Sequence, residues 1–293
     1  MVSKSSSAYG RGTVEIDDDD GDLLLGPDEL IALIDAPTYR PPVLPVIALE
    51  IYQLSRSRNL DYRQVLRLLE RDPMVAALIL RRAQSAAYAS RTPVTSLTDA
   101  LRRLGVEALS RLVLEATTAM TLFRVPGYEA RMDELRRHST ATAYIARAVA
   151  HAISQPTELT FLCGLLHDVG IVAGLLVYAR PRTAGTPPPF ESVWPVVEPL
   201  HEAVSGRLAR LWNLPAEVQA VLAGHHQPAL GPRPDPIACA VFLADTIACE
   251  LGAGRELAPE PGRVEAVRAA IGFPDPALPE LMTYAREVIA QIE

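Results

Sequence analysis

The chain has 293 residues, 49% of them hydrophobic but only 5% aromatic, and carries a net charge of −7. The length admits one large domain or two small ones, and a core rich in Ala and Leu points to helices rather than sheets. The acidic balance excludes a large electrostatic footprint on nucleic acid. The three cysteines, Cys163, Cys239 and Cys249, form no CxxC pair and cannot all pair with one another, which fits a reducing cytoplasmic setting.

Residues 1–26 are rich in Ser, Gly and Asp and end in DDDDGD. They read as a disordered acidic tail, and without an apolar stretch they predict no signal peptide. The helical period begins at Pro27, which suits the first turn of PDELIALI together with its acids. PPVLPV then breaks the chain. VIALEIYQL and DYRQVLRLLE are amphipathic helices, the second capped by Asp61. Asp72-Pro73 restarts the chain as RDPMVAALILRRAQSAAY, with Asp72 as cap. Ser96 and Asp99 resemble a capping box opening TDALRRLG, Gly105 ends that helix, and VEALSRLVLEATTAMTLF follows.

A second block runs from about Tyr128 to Gly252. Its helical segments are YEARMDELRRHSTATAYIARAVAHAI, ELTFLCGLLHDVGIVAGLLVYA, VEPLHEAVSGRLARLWN, PAEVQAVLAGHHQ and PIACAVFLADTIACEL, separated by the proline loops TPPPF and GPRPDP. GRVEAVRAAIG and ALPELMTYAREVIAQI close the chain as two short helices. No stretch alternates with period two over a strand's length, so the fold class is all-α. The longest uninterrupted apolar run, around IVAGLLVYA, is well short of the roughly 20 residues of a spanning helix, so no membrane association is expected.

All six histidines fall in the second block: His138, His151, His167, His201, His225 and His226. Glu134 and His138 stand four apart on one helix face. His167 and Asp168 are adjacent, about 100° apart around a helix, a placement that reaches two neighbouring ions more easily than one. His225-His226 repeats that placement, and Asp245 sits in the apolar helix VFLADTIACEL, where an unpaired carboxylate is costly. Imidazole and carboxylate together suit Fe, Mn or Zn. Two such ions lower the pKa of bridging water and clamp a phosphoryl group. His151 lies outside this series and is expected on the solvent side of its helix. Arg81-Arg82, Arg102-Arg103 and Arg136-Arg137 read as solvated helix faces, Trp194 and Trp212 as packing residues, and Cys163 as a core thiol.

The ordered series Glu134, His138, His167-Asp168, His201, His225-His226 and Asp245 resembles the ligand set of the HD superfamily of metal-dependent phosphohydrolases. Within it, RDPMVAALILRRAQSAAY followed by PVTSLTDALRRLG is similar to the first half of HDOD domains, the HD-related output domains of bacterial signalling proteins. LLHDVG, HEAVSGRLARLWNLPAEV and GHHQP continue that pattern in order, over roughly residues 40–250. The resemblance implies an HD-type helical bundle (128–253) preceded by an HDOD-type helical half (27–127) and followed by a helical extension (254–293).

It further implies a regulatory output module with signalling proteins as partners, two divalent transition-metal ions, and a possible nucleotide ligand. The alternative it leaves open is a phosphodiesterase acting on a cyclic dinucleotide, as in the HD-GYP relatives, with Asp168 as the catalytic residue. This chain departs from those relatives at two points: Ile171 stands where they carry Lys, and no GYP triplet follows GHHQP. Losing one electrostatic group at a phosphoryl site costs ~10²–10³ in rate, which favours the module.

Overall fold

The computed structural model describes residues 24–44, 46–55, 61–84, 94, 96–179, 185–230, 232–254 and 259–292, and among these every regular element is a helix. The tail expected over residues 1–26 lies almost wholly outside them. So does the stretch after Gln84 that was expected to prolong the fourth helix.

Five helices build the N-terminal half: α1 (Pro27–Asp35), α2 (Val46–Ser55), α3 (Tyr62–Glu70), α4 (Pro73–Ala83) and α5 (Leu97–Thr121). Their starts are set locally. Asp61 Oδ1 accepts the Arg63 N–H at 2.9 Å and Asp72 Oδ1 accepts that of Val75 at 3.1 Å. Ser96 Oγ accepts the Asp99 N–H at 3.1 Å and donates to Asp99 Oδ2 at 2.7 Å, so the two side chains hold each other. Gly105 takes φ 73° and ψ 166°, a left-handed value that favours glycine, and kinks α5 into two helical stretches.

The second block comprises α6 (Glu129–Ala152), α7 (Thr157–Leu166), α8 (Val169–Tyr178), α9 (Phe190–Leu211), α10 (Ala216–Leu222) and α11 (Pro236–Glu250). After it come α12 (Arg263–Ala270) and α13 (Leu278–Ile292). Helix α6 is the axis: α7, α11 and α13 pack on it, while α8 pairs with α9, and α10 with α9. The α6–α7 approach is close because Gly164 meets Ala143; a Cβ there would stand 2.8 Å from the Ala143 Cα. One continuous apolar cluster runs from Leu30 of α1 to Ala285 of α13, so both halves share a core. Arg111 of α5 ties the halves together through Glu158 of α7 at 2.6 Å, and Glu158 also meets Arg147 of α6 at 3.3 Å. Trp212 packs as expected, its indole N–H donating to the Pro42 carbonyl at 3.2 Å.

Two expectations are corrected. The helical segment expected to begin at Val197 starts earlier: α9 begins at Phe190 and carries Pro195 and Pro199 inside. Phe190, Val193 and Val197 form one buried stripe that offsets the lost backbone hydrogen bonds. The segment ELTFLCGLLHDVGIVAGLLVYA is two helices rather than one, broken at His167-Asp168. Residues Thr157–Tyr178 have a mean hydropathy of 1.9, enough by length and composition for a membrane span, which the short unbroken run had concealed. In this fold the most apolar 18-residue window of the segment is 94% buried inside the protein.

Candidate metal centre

The break between α7 and α8 is what makes the site. His167 closes α7, and Asp168 follows at φ −96° and ψ 12°, out of helical register. Ser205 of α9 holds the turn: its hydroxyl donates to the His167 carbonyl and accepts the Gly170 N–H, both at 2.8 Å. The two adjacent side chains lie close together, with His167 Nε2 3.3 Å from Asp168 Oδ2. The turn cancels the rotation that a continuous helix would impose.

Around Asp168 the other residues gather from four elements. Its Oδ2 also lies 3.5 Å from His138 Nε2, on α6. Its Oδ1 lies 3.3 Å from His201 Nε2, on α9, and 3.4 Å from His225 Nε2, in the turn after α10. One carboxylate therefore faces two groups of imidazoles, one on each oxygen. Asp245 of α11 completes the first group, 3.1 Å from His138 Nε2. His226 joins the second, 3.0 Å from His201 Nε2, and its backbone N–H donates to Glu202 Oε1 at 2.7 Å. His138, His167, Asp168, His201, His225 and Asp245 are all buried, and His226 is partly so.

The hydrogen bonds assign the tautomers. His138 Nδ1 faces the Ala253 carbonyl at 2.8 Å, and His167 Nδ1 faces that of Gly164 at 2.8 Å. His201 Nδ1 faces the Glu198 carbonyl and His225 Nδ1 that of Leu222 at 3.3 Å. A carbonyl only accepts, so each of these Nδ1 atoms carries the proton. The four Nε2 atoms then point at one another and at two carboxylates, with Nε2–Nε2 separations of 3.1 Å for His138–His167 and 3.3 Å for His201–His225. Asp168 Oδ1 and Asp245 Oδ2 are buried with no hydrogen-bond partner. A buried set made almost only of acceptors costs several kcal/mol unless positive charge sits among them. Borderline cations that take imidazole and carboxylate supply that charge, and the backbone carbonyls behind the rings orient them as ligands.

The charges of the buried groups make the same demand. Burial pushes His167 down, but the Asp168 carboxylate beside it more than offsets this and raises it to about 9. Burial pushes His225 down to about 4 despite its contact with Asp168. Burial pushes Asp168 and Asp245 up, yet their histidines hold both below the usual carboxylate range, Asp245 at about 2. A proton on His167 thus stands in for a metal. Any metal must displace that proton below pH 9, whereas His225 has none to lose there. Metal affinity is therefore expected to fall about tenfold for each pH unit lowered from 9 to 7. Competition titrations at pH 7, 8 and 9 check this, and a flat profile contradicts it.

A cavity of about 420 Å³ opens onto the centre. Ile171 and Trp194 stand in its wall, Trp194 stacked on Phe190 at 5.1 Å between ring centroids. Ile289 and Ile292 of α13 also line it, so the C-terminal extension takes part in the site. Arg131 lies over the Phe190 ring and pairs with Glu134 at 2.9 Å and Glu191 at 2.8 Å. Arg137 also lines the cavity and makes no ion pair or hydrogen bond among the described residues.

Of the residues singled out in the sequence, the fold does not bring Glu134 into the cluster. Its side chain is 49% exposed on the cavity rim and bound to Arg131, one turn away, rather than directed at His138. His151 is exposed, as expected. Three contributors went unread in the sequence: Ser205, Cys249 and the Ala253 carbonyl. Ser205 is four residues after His201 and Cys249 four after Asp245, so the i, i+4 spacing was a usable signal for both.

Comparison with known proteins follows the same outline. The sequence model of the HDOD domain matches residues 42–228. The fold is similar to an HDOD domain protein of unknown function from Geobacter sulfurreducens, with TM-score 0.66 and 22% identity over 87% of this chain and 93% of that one. It is also similar to a proposed metal-dependent phosphohydrolase from Shewanella amazonensis SB2B, with TM-score 0.67 and 17% identity over 91% and 98% of the two chains. At these identities the likeness establishes the fold. An uncharacterized protein of Treponema pallidum (strain Nichols) is 23% identical over 194 residues. That alignment covers 63% of this chain but 37% of the relative, so the shared part is little more than a third of that protein.

Proposed function

This chain belongs to the HDOD domain family, and from that premise we propose that it is a metal-binding regulatory output module. In this reading, His138, His167, Asp168 and Asp245 hold one divalent transition-metal ion, and Asp168, His201, His225 and His226 a second, of the Fe, Mn or Zn class. The observation that carries it is the convergence of four imidazole Nε2 atoms on the two oxygens of Asp168. When bound, such a pair supplies Lewis acidity and an anchor for phosphoryl oxygens. The chain's own groups do the rest. Arg137 offers an uncommitted cation to an anionic ligand, Trp194 and Phe190 an aromatic face, and Ile171 and Ile289 an apolar, water-poor wall.

The signal would leave through the N-terminal half, which is tied to the site's own helices. Tyr178 of α8 donates to the Leu25 carbonyl at 3.0 Å, and Arg207 of α9 pairs with Asp35 of α1 at 3.0 Å. A signalling protein docking on that half is the proposed partner. Elemental analysis of protein purified without added metal tests the core of the proposal. About two transition-metal ions per chain are expected; a stably folded protein that takes up none, even on titration, ends it.

The cavity favours a second reading, a phosphohydrolase acting on a phosphodiester such as a cyclic dinucleotide. Ile171 faces that cavity where a lysine would meet a phosphoryl oxygen. With the metal-loaded protein and bis(p-nitrophenyl) phosphate, Ile171→Lys is expected to raise the hydrolysis rate by ~10²–10³. Equal rates in both proteins would show that this position is not the one limiting chemistry.

A further inference from the structure

We propose that Cys249 supplies a thiolate ligand to a metal position formed with His138 and Asp245. This rests on the reading of the His–Asp cluster as a metal centre and adds a soft donor that the pattern of histidines and aspartates does not contain. Helix α11 places Cys249 one turn after Asp245 on the same face. Its Sγ lies 3.7 Å from Asp245 Oδ1, and ligand atoms of His138, Asp245 and Cys249 all fall within 4.8 Å of one another.

Two further observations point to a ligand there. Asp245 is 2% exposed, yet its Oδ2 has no hydrogen-bond partner, so the carboxylate retains an unmet need for positive charge. The chain after α11 passes so close to the thiol that only a residue without a side chain leaves it unobstructed. At Gly254, which lines the same cavity, a Cβ would stand 2.9 Å from Cys249 Sγ and 2.6 Å from His138 Nδ1. Any larger residue would press on both ligands.

The other cysteines do not compete. Cys163 is fully buried and burial pushes its thiol far up; burial likewise pushes Cys239 up to about 11, and neither belongs to a group with histidine and aspartate. Cys249 alone among the three lines the cavity, within reach of an entering ion. On binding, the sulfur forms its bond to the metal and the thiol proton leaves to solvent. A thiolate turns the preference of this position towards Zn²⁺ or Co²⁺ and away from Mn²⁺.

Cobalt reads the sulfur directly. The full chain loaded with Co²⁺ is expected to show a thiolate-to-cobalt charge-transfer absorption in the near ultraviolet, which Cys249→Ser loses while the cluster around Asp168 still binds Co²⁺. Bound Co²⁺ without that absorption, or the same absorption in Cys249→Ser, overturns the assignment and leaves the His–Asp centre standing. Failure to bind Co²⁺ at all, by elemental analysis of the folded protein, overturns both. The wild-type spectrum alone decides whether sulfur is a ligand, so the test does not depend on the variant folding.

Discussion

Asp168→Ala is expected to weaken metal binding at both positions by orders of magnitude. A structural zinc site with four protein ligands is worth about 10–16 kcal/mol, so each ligand contributes roughly 3 kcal/mol, or ~10² in affinity. Asp168 presents one oxygen to each group of histidines, at 3.3–3.5 Å from four Nε2 atoms. Its loss removes a ligand from both positions and weakens binding by ~10⁴ in total. Equilibrium dialysis followed by elemental analysis measures this, with His151→Ala, at an exposed position outside the cluster, as the unchanged control. If Asp168→Ala kept its affinity within tenfold of the native protein, the shared-carboxylate geometry would be wrong.

Gly170→Ala is expected to damage both fold and site. A Cβ at Gly170 would overlap the His201 carbonyl oxygen and stand 2.8 Å from the Ser205 backbone nitrogen. These are backbone atoms of α9 and cannot rotate away, so α8 must move off α9. That overpacking costs about 3 kcal/mol or more, which for a chain of this size lowers Tm by roughly 6–12 °C. Because Ser205 also holds the His167 carbonyl, the displacement separates His167-Asp168 from His201 and weakens metal binding as well. Thermal unfolding followed by circular dichroism checks the first effect. Gly224→Ala is the control, since a Cβ there meets nothing within 4 Å. An unchanged Tm for Gly170→Ala would mean that α8 and α9 are not packed this closely.

The two substitutions separate two kinds of glycine and acid in one stretch. Within FLCGLLHDVG, Asp168 supplies charge, while Gly164 and Gly170 supply nothing but absence of a side chain. Gly164 lets α7 reach α6, and Gly170 lets α8 reach α9. The polar pair between them reaches its neighbours because both flanking helices come this close.

Much was legible in the sequence by itself, wherever the cause is local. Helical class follows from composition and period, and the starts at Asp61, Asp72 and Ser96 follow from one side chain accepting one backbone N–H nearby. The candidate ligands were legible as types: eight imidazoles and carboxylates, most of them in or beside apolar helices, where they are too costly to bury alone. Only the tertiary structure decided what those groups do together. Glu134 has the right chemistry and spacing, but Arg131 captures it at the rim. His167 and Asp168 converge because α7 and α8 break between them, a consequence of Ser205 arriving from α9. At His138, His167, His201 and His225 a carbonyl brought to Nδ1 fixes a proton on that nitrogen, and for His138 that carbonyl is Ala253, 115 residues away. Metal-ligand character is a property of where lone pairs point, and that direction belongs to the packed helices rather than to any residue alone.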